Sequence, residues 1–183
     1  MAAAPDWMVR AAGPDDASAL ALVGAATFLE TFAGAIAGSA IVGHCAANHT
    51  AEAYAALLAK GAQAWIGEAH AGAPVGYALI AQPELDAAQA GDVELKRIYT
   101  LSRFHGSGLG GALMDAAVAG AAGHTRLLLG VKADNHRAIA FYRKQGFDPI
   151  ATRQFNVGGT LYDDLVLARP LSPNQRLTRP EHP

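Results

Sequence analysis

The chain predicts a single α/β domain, a mixed and mostly antiparallel sheet flanked by helices. Three observations predict it. Strand-like and helix-like runs follow one another along the chain, with no internal repeat and no second domain. Two strand-like runs, Gln63–Ala69 and Pro74–Ala81, are joined through Gly72, and a last pair is joined by Gly158-Gly159. The length of 183 residues suits one domain and buries a substantial core without staples.

The elements follow in order. Trp7–Ala12 reads as a short strand. Gly13-Pro14-Asp15-Asp16 opens a helix, with proline early and acids in the first turn. Apolar spacing through Leu20, Val23, Thr27 and Phe28 carries it to about Ala33. Gly34–Gly43 is glycine-rich and reads as a bend. Thr50 caps a second helix running to about Lys60. The strands Gln63–Ala69 and Pro74–Ala81 follow, then a loop over Pro83–Gly91 and a strong strand candidate, Val93–Thr100. Gly106–Gly111 opens a helix running to about Ala122. Leu127–Val131 is a short apolar run of the kind found in buried strands. Asn135 caps a helix that Gly146 ends. Ile150–Val157 and Thr160–Ala168 form the last hairpin. The domain is expected over 1–169. Pro170, Pro173, Pro180 and Pro183 make 170–183 a poor candidate for packed structure, and a flexible tail is expected there.

Composition excludes several classes. The chain is 51% hydrophobic and 16% charged, within the range of globular proteins. A net charge of -2 leaves no electrostatic footprint for duplex nucleic acid. Backbone N–H groups can still bind an anion, and net charge does not count them. Cys45 is the only cysteine, so no intrachain disulfide forms, which fits a reducing cytoplasm, the expected location. Met1–Asp6 lacks the basic region of a signal peptide. The alanine-rich runs Ala17–Ala26 and Ala112–Ala122 are too short to span a bilayer, so no membrane association is expected. His44, Cys45 and His49 offer metal-binding side chains. On a helix the two histidines would stand about 140° apart. No fourth ligand stands out, and no metal is expected.

The segment Arg103-Phe104-His105-Gly106-Ser107-Gly108-Leu109-Gly110-Gly111 carries the functional argument. A loop with few bulky side chains exposes successive N–H groups at a helix start. Those donors and the helix dipole suit a pyrophosphate. Gly106, Gly108 and Gly111 also fit the dinucleotide fingerprint, and Asp134 lies near the place of its ribose-binding acid. In that fingerprint, however, the strand runs directly into the first glycine. Here Leu101–His105 intervene, and the motif comes past mid-chain. No Gly-Lys-Ser/Thr triplet occurs, which excludes a Walker loop.

Val93-Glu94-Leu95-Lys96-Arg97-Ile98-Tyr99-Thr100 followed by this loop resembles the central motif of the GNAT N-acetyltransferases. So does Asn135-His136-Arg137-Ala138-Ile139-Ala140-Phe141-Tyr142-Arg143-Lys144-Gln145-Gly146-Phe147. The resemblance is sharp over Val93–Phe147. Thr27-Phe28-Leu29-Glu30-Thr31-Phe32 and the Glu94–Tyr99 strand resemble the polyamine-type branch. The fold implied has central strands that splay to admit a pantetheine arm. The activity implied is acetyl transfer from acetyl-CoA, as co-substrate, to a primary amine of a small molecule. Alternatives are acetylation of a protein N-terminus or lysine, and a non-catalytic CoA-sensing module. A homodimer is left open.

The resemblance also implies site residues. Backbone of Ile98, Tyr99 and Thr100 binds the pantetheine arm and polarises the thioester. His105, Gly106, Ser107, Gly108, Leu109, Gly110 and Gly111 cradle the phosphates. His105 stands where the family commonly has Gln or Arg, and its N–H is expected to face a phosphate. Asn135 and Ala138 contact CoA, and Tyr142 lies near its sulfur.

The chemistry sets further demands. A lysine-like amine has a pKa of about 10.4, so about one molecule in 2,500 is neutral at pH 7. A base must take a proton, directly or through water, and the leaving thiolate can be protonated. Tyr142 is the expected acid, because a phenol holds its proton at neutral pH. Glu94 is the expected base, with Asp92 or Glu30 as substitutes. Phe28, Glu30 and Glu94 are the expected acceptor contacts. Glu30, Glu84, Asp86, Asp92 and Glu94 together would attract a polycation, which makes a polyamine the finer expectation.

Overall fold

The computed structural model describes residues 6–157 and 159–171. The elements in chain order are β1 (Trp7–Ala12), α1 (Ala17–Phe32), α2 (Gly38–Asn48), α3 (Ala51–Ala59), β2 (Gln63–Ala69), β3 (Pro74–Ala81), β4 (Val93–Thr100), α4 (Leu109–Gly120), β5 (Arg126–Lys132), α5 (His136–Lys144), β6 (Asp148–Val157) and β7 (Thr160–Pro170). The seven strands form one sheet in the order β1-β2-β3-β4-β5-β7-β6. Every pairing is antiparallel except β4 with β5. The expected mixed, mostly antiparallel sheet is therefore present.

Two faces of this sheet bury separate cores. On one face Ala78, Ile80, Leu95, Leu127, Leu129 and Leu167 pack against Leu109, Leu113 and Met114 of α4 and Ile139 of α5. On the other, Ile66, Tyr77 and Leu79 pack against Leu20 and Val23 of α1 and Tyr54 of α3. A smaller cluster of Leu128, Val166 and Ala168 is covered by Leu85, from the loop before β4. Among the described residues no helix is long and apolar enough to cross a membrane.

Local sequence explains most boundaries. Thr50 accepts the N–H of Ala53 and so caps α3, and Asn135 accepts the N–H of Ala138 and so caps α5. Gly146 ends α5 with φ of +82°, a conformation that favours glycine. The expected helix from Gly13 begins instead with a 3-10 turn over Pro14–Asp16, and the α-helix starts at Ala17. The expected bend at Gly34–Gly43 is wrong in its second half: α2 begins at Gly38, because Ile41 buries itself and the small residues around it pack in a helix. Of the expected tail, Pro170 ends β7 and the Leu171 N–H donates to the Thr125 carbonyl. Gly158 and residues 172–183 lie outside the described residues.

Candidate active site

The parallel pair β4 and β5 makes the site. Their pairing covers Val93↔Leu127 and Glu94↔Leu128 and then ends, although β4 has 8 residues and β5 has 7. Beyond Glu94, β4 stays paired with β3 while β5 stays paired with β7 as far as Lys132↔Asp164. The two strands therefore diverge. A bulge contributes: Leu79 pairs with Arg97 and Ile80 with Leu95, so Lys96 is an extra residue on β4. Such a bulge bends the strand and breaks the ladder locally. Asp92–Leu95 are buried, whereas Lys96–Thr100 are half-exposed. Ile98, Tyr99 and Thr100 lie on this open length, with one edge of their backbone unpaired by β5.

The glycine loop sits at the open end of β4. A 3-10 turn over Ser102–Phe104 separates strand from loop, unlike the direct entry of a dinucleotide fold. Gly106 and Gly108 have φ of +80° and +89°, where a side chain would be strained. Gly108 is the N-cap of α4. The first N–H groups of a helix have no partner within it. Those of Gly106, Gly108, Gly110 and Gly111 have no partner among the described residues, and together they form an anion cradle. Leu109, by contrast, is fully buried, and its N–H leans on Ser107 Oγ at 3.4 Å.

The expectation for His105 needs correction. Its N–H donates to the Ser102 carbonyl at 3.0 Å, and that of Ser107 donates to Phe104 at 3.2 Å. Both donors are engaged in turning the chain and do not face a phosphate. The His105 ring instead lies 3.2 Å from the Thr100 carbonyl through Nε2.

On the other side of the gap, α5 brings Tyr142 against the core, in edge-on contact with Phe141 and Phe147. Burial holds its phenol well above the ordinary tyrosine range, and Tyr99 adds to this. Its hydroxyl has no hydrogen-bond partner among the described residues. A firmly protonated, unengaged phenol can donate to an anion arriving in the gap. Asn135 Oδ1 is committed to capping α5, which leaves its amide N–H groups available, and Ala138 packs beside it.

Of the expected acceptor-side acids, Glu84 and Glu94 meet on Lys96, and the others have separate partners or none among the described residues. Glu30 accepts both the N–H and the hydroxyl of Ser102, at 2.7 and 2.8 Å, so it clamps the end of α1 onto the turn before the glycine loop. Glu84 pairs with Lys96 at 2.7 Å, and Asp92 takes Nε and Nη2 of Arg126 at 3.0 and 2.6 Å. Asp86 stays on the exposed loop. Glu94 is buried at the closed end of β4, where Oε2 accepts the Glu84 N–H at 2.8 Å and meets Lys96 Nζ at 3.2 Å. Both contacts use Oε2, and Oε1 takes no hydrogen bond among the described residues. Oε2 thus helps hold the loop before β4.

Phe28 is buried and stacks on His44 with ring centroids 4.2 Å apart. His49 follows the end of α2, so its ring turns back to 5.5 Å from that of His44. His49 Nδ1 lies 2.9 Å from the Tyr54 hydroxyl, which donates to Tyr77 at 3.1 Å. Burial lowers the His49 pKa to about 3, with Arg97 and His44 assisting. Among the described residues no three His, Cys, Asp or Glu side chains gather as a metal site.

Asp164 escaped the sequence reading. It lies on β7 opposite Lys132, at the diverging end of β5. Period-two alternation through Asp164, Val166 and Ala168 was the signal, because it puts this acid on the face of the last two, which are buried.

Comparison with known proteins places this geometry. A family model described as the acetyltransferase (GNAT) family matches residues 42–147. An uncharacterized N-acetyltransferase of Mycobacterium tuberculosis is 37% identical over 158 residues, covering 85% of this chain and 98% of the relative. A homologue from Mycobacterium bovis matches equally well, at 37% over the same shares. Among solved structures, the PaiA N-acetyltransferase of Thermoplasma acidophilum, in complex with coenzyme A, superposes with a TM-score of 0.73 at 18% identity, over 90% of this chain and 98% of that one. YncA of Salmonella typhimurium, with acetyl-CoA, gives 0.65 at 20% identity, over 96% and 98%. These structures share the fold.

Proposed function

The chain belongs to the GNAT family of acetyltransferases, and from that premise we propose that it acetylates a primary amine of a small molecule, with acetyl-CoA as donor. The observation that carries this is the juxtaposition of three features at one opening. They are the divergence of β4 from β5 after Glu94, the unpartnered N–H groups at the start of α4, and the free Tyr142 hydroxyl. Phosphates fit the α4 cradle, the pantetheine arm fits along the unpaired edge of Ile98–Thr100, and the sulfur end comes towards Tyr142. The phenol then donates to the thiolate as it leaves.

The acceptor follows from charge. Asp92 is neutralised by Arg126, Lys96 offsets one of the two charges of Glu84 and Glu94, and Glu30 keeps its charge apart from them on Ser102, so the acids are dispersed and do not form the single acidic field that a polyamine would need. A small monoamine therefore suits the site better than a polycation. The test is a screen that follows free thiol release from acetyl-CoA with spermidine, a neutral amino-acid amide and a basic peptide. The proposal expects the amide to match or exceed spermidine in kcat/KM, with little dependence on salt. A strong preference for the peptide would move the activity to protein acetylation. A salt-sensitive preference for spermidine would restore the polyamine reading.

A further inference from the structure

We propose that Asp164 is the group that receives the acceptor amine and takes its proton, an inference that rests on the acetyl-transfer reading above. Three observations on β5, β6 and β7 point to it. Asp164 is paired with Lys132 at the last rung of β7 on β5, and β4 has already left that strand. Its carboxylate therefore stands one strand from the gap, across β5, on the sheet face of Val166 and Ala168, away from Tyr142. The side chain is only 8% exposed, and its one hydrogen bond among the described residues is long, from Arg153 Nη2 to Oδ2 at 3.4 Å. Oδ1 takes no hydrogen bond among the described residues and is not sealed off. A largely buried carboxylate with a free oxygen calls for a further donor, and an ammonium supplies one.

Gly130 of β5 shapes this corner. A Cβ there would meet the Arg153 guanidinium at 2.5 Å, so the bare strand makes room for the arginine beside Asp164. Desolvation raises the Tyr99 pKa and Asp164 helps to raise it, so the carboxylate lies within electrostatic reach of the open half of β4. The charges facing Asp164 are Arg153 of β6, Lys132 of β5 and Asp134 just beyond it. Lys132 is paired with Asp134 at 2.8 Å, and Arg153 with Asp164. The corner is close to neutral, which suits a singly charged amine. Burial raises the Asp164 pKa, against Arg153 and Lys132, and a raised carboxylate is a better proton acceptor.

The step balances. The ammonium gives one proton to Asp164, and the freed lone pair forms the C–N bond to the acetyl carbon. The C–S bond breaks, and the thiolate takes the Tyr142 proton. The second proton shed by nitrogen restores the phenol through solvent, and Asp164 returns its proton to water.

The experiment measures kcat/KM against pH for the wild type, Asp164→Asn, Asp164→Glu and Arg153→Met, using whichever of spermidine, the amino-acid amide or the basic peptide the wild type turns over best. Acetyl-CoA binding is measured in parallel by calorimetry. Asp164→Asn should lose about a hundredfold near neutral pH, within the usual range for a general base. The loss should shrink as pH approaches the amine pKa of about 10.4. Asp164→Glu should recover part of the activity. Arg153→Met should move the acid limb to higher pH, because the arginine holds the carboxyl down. Acetyl-CoA affinity should change in none of them. An equal loss for Asp164→Asn at every pH, or an acid limb unmoved in Arg153→Met, would reduce the pair to a structural tie and overturn the proposal. Wild-type protein that binds acetyl-CoA but releases no thiol with any amine would instead overturn the acetyl-transfer reading beneath it.

Discussion

The two ends of β4 are built for different work. At Asp92–Leu95 the chain is buried, Glu94 is paired on both edges, and the side chains tie the strand to its neighbours. Asp92 holds Arg126, Glu94 holds the Glu84 N–H, and Thr125 donates its N–H to the Gly91 carbonyl at 2.7 Å. At Lys96–Thr100 one edge is unpaired and the side chains are half-exposed. The sealed end fixes β4 against β5 so that the open end can diverge without the sheet coming apart. A gap between strands exposes unsatisfied backbone groups, which is costly unless a ligand meets them. Substitutions at the sealed end should therefore read out in stability, and those at the open end in binding and turnover.

The largest effect is expected at the open end. Gly110→Val should fold, since a Cβ there meets only the Phe141 ring, at 3.9 Å. It should abolish acetyl-CoA binding by crowding the N–H cradle. At 100 times the wild-type Kd, acetyl-CoA should stabilise the wild type by about 2.7 kcal/mol and the variant by nothing measurable in a thermal shift. A normal shift in the variant would remove the cradle from the site. Next, Tyr142→Phe should lower kcat by about ten- to a thousand-fold with acetyl-CoA affinity retained. Unchanged turnover where chemistry limits the rate would leave Tyr142 a packing residue.

Smaller effects are expected at the sealed end. Asp92→Ala should destabilise the fold by about 3 kcal/mol, the cost of leaving the half-buried Arg126 unpaired, as measured by urea unfolding. The ion pair also has a pH signature. The Arg126 hydrogen bonds hold the Asp92 pKa below its ordinary value. Its contribution is therefore full above the unfolded-state pKa near 4 and fades as pH falls through the lower folded value. Wild type and Asp92→Ala should thus differ less at pH 2 than at pH 7. Glu94→Gln should be the mildest, about fivefold or less in kcat/KM and equal at every pH, as for one loop hydrogen bond. A loss concentrated near neutral pH would return Glu94 to the role of base.

The open and sealed ends were not equally legible in the sequence. The glycine loop could be read because Gly106–Gly111 act through consecutive backbone groups, and a local string encodes them. Caps such as Thr50 and Asn135 are equally local. The contacts of Glu94 with the Glu84 N–H and Lys96 were not legible, because they depend on the loop before β4 folding back and on the bulged pairing of β4 with β3. Asp164 went unread because its importance depends on β7 lying beside β5 rather than β4, a matter of strand order across distant segments. Gly34–Gly43 misled because glycine count outweighed the single apolar anchor, Ile41, that fastens α2.

The central claim is that acetyl-CoA occupies the divergence of β4 from β5 beneath the start of α4. Amide hydrogen exchange with and without acetyl-CoA tests it residue by residue. Amides of Gly106, Gly108, Gly110 and Gly111 and of Lys96–Thr100 should exchange about a hundredfold more slowly at 100 times Kd. Those of Val93–Leu95, already sealed, should slow only as far as the stability of the whole fold rises, with no added local protection. Protection that appears elsewhere and spares the glycine loop and the open half of β4 would contradict the account.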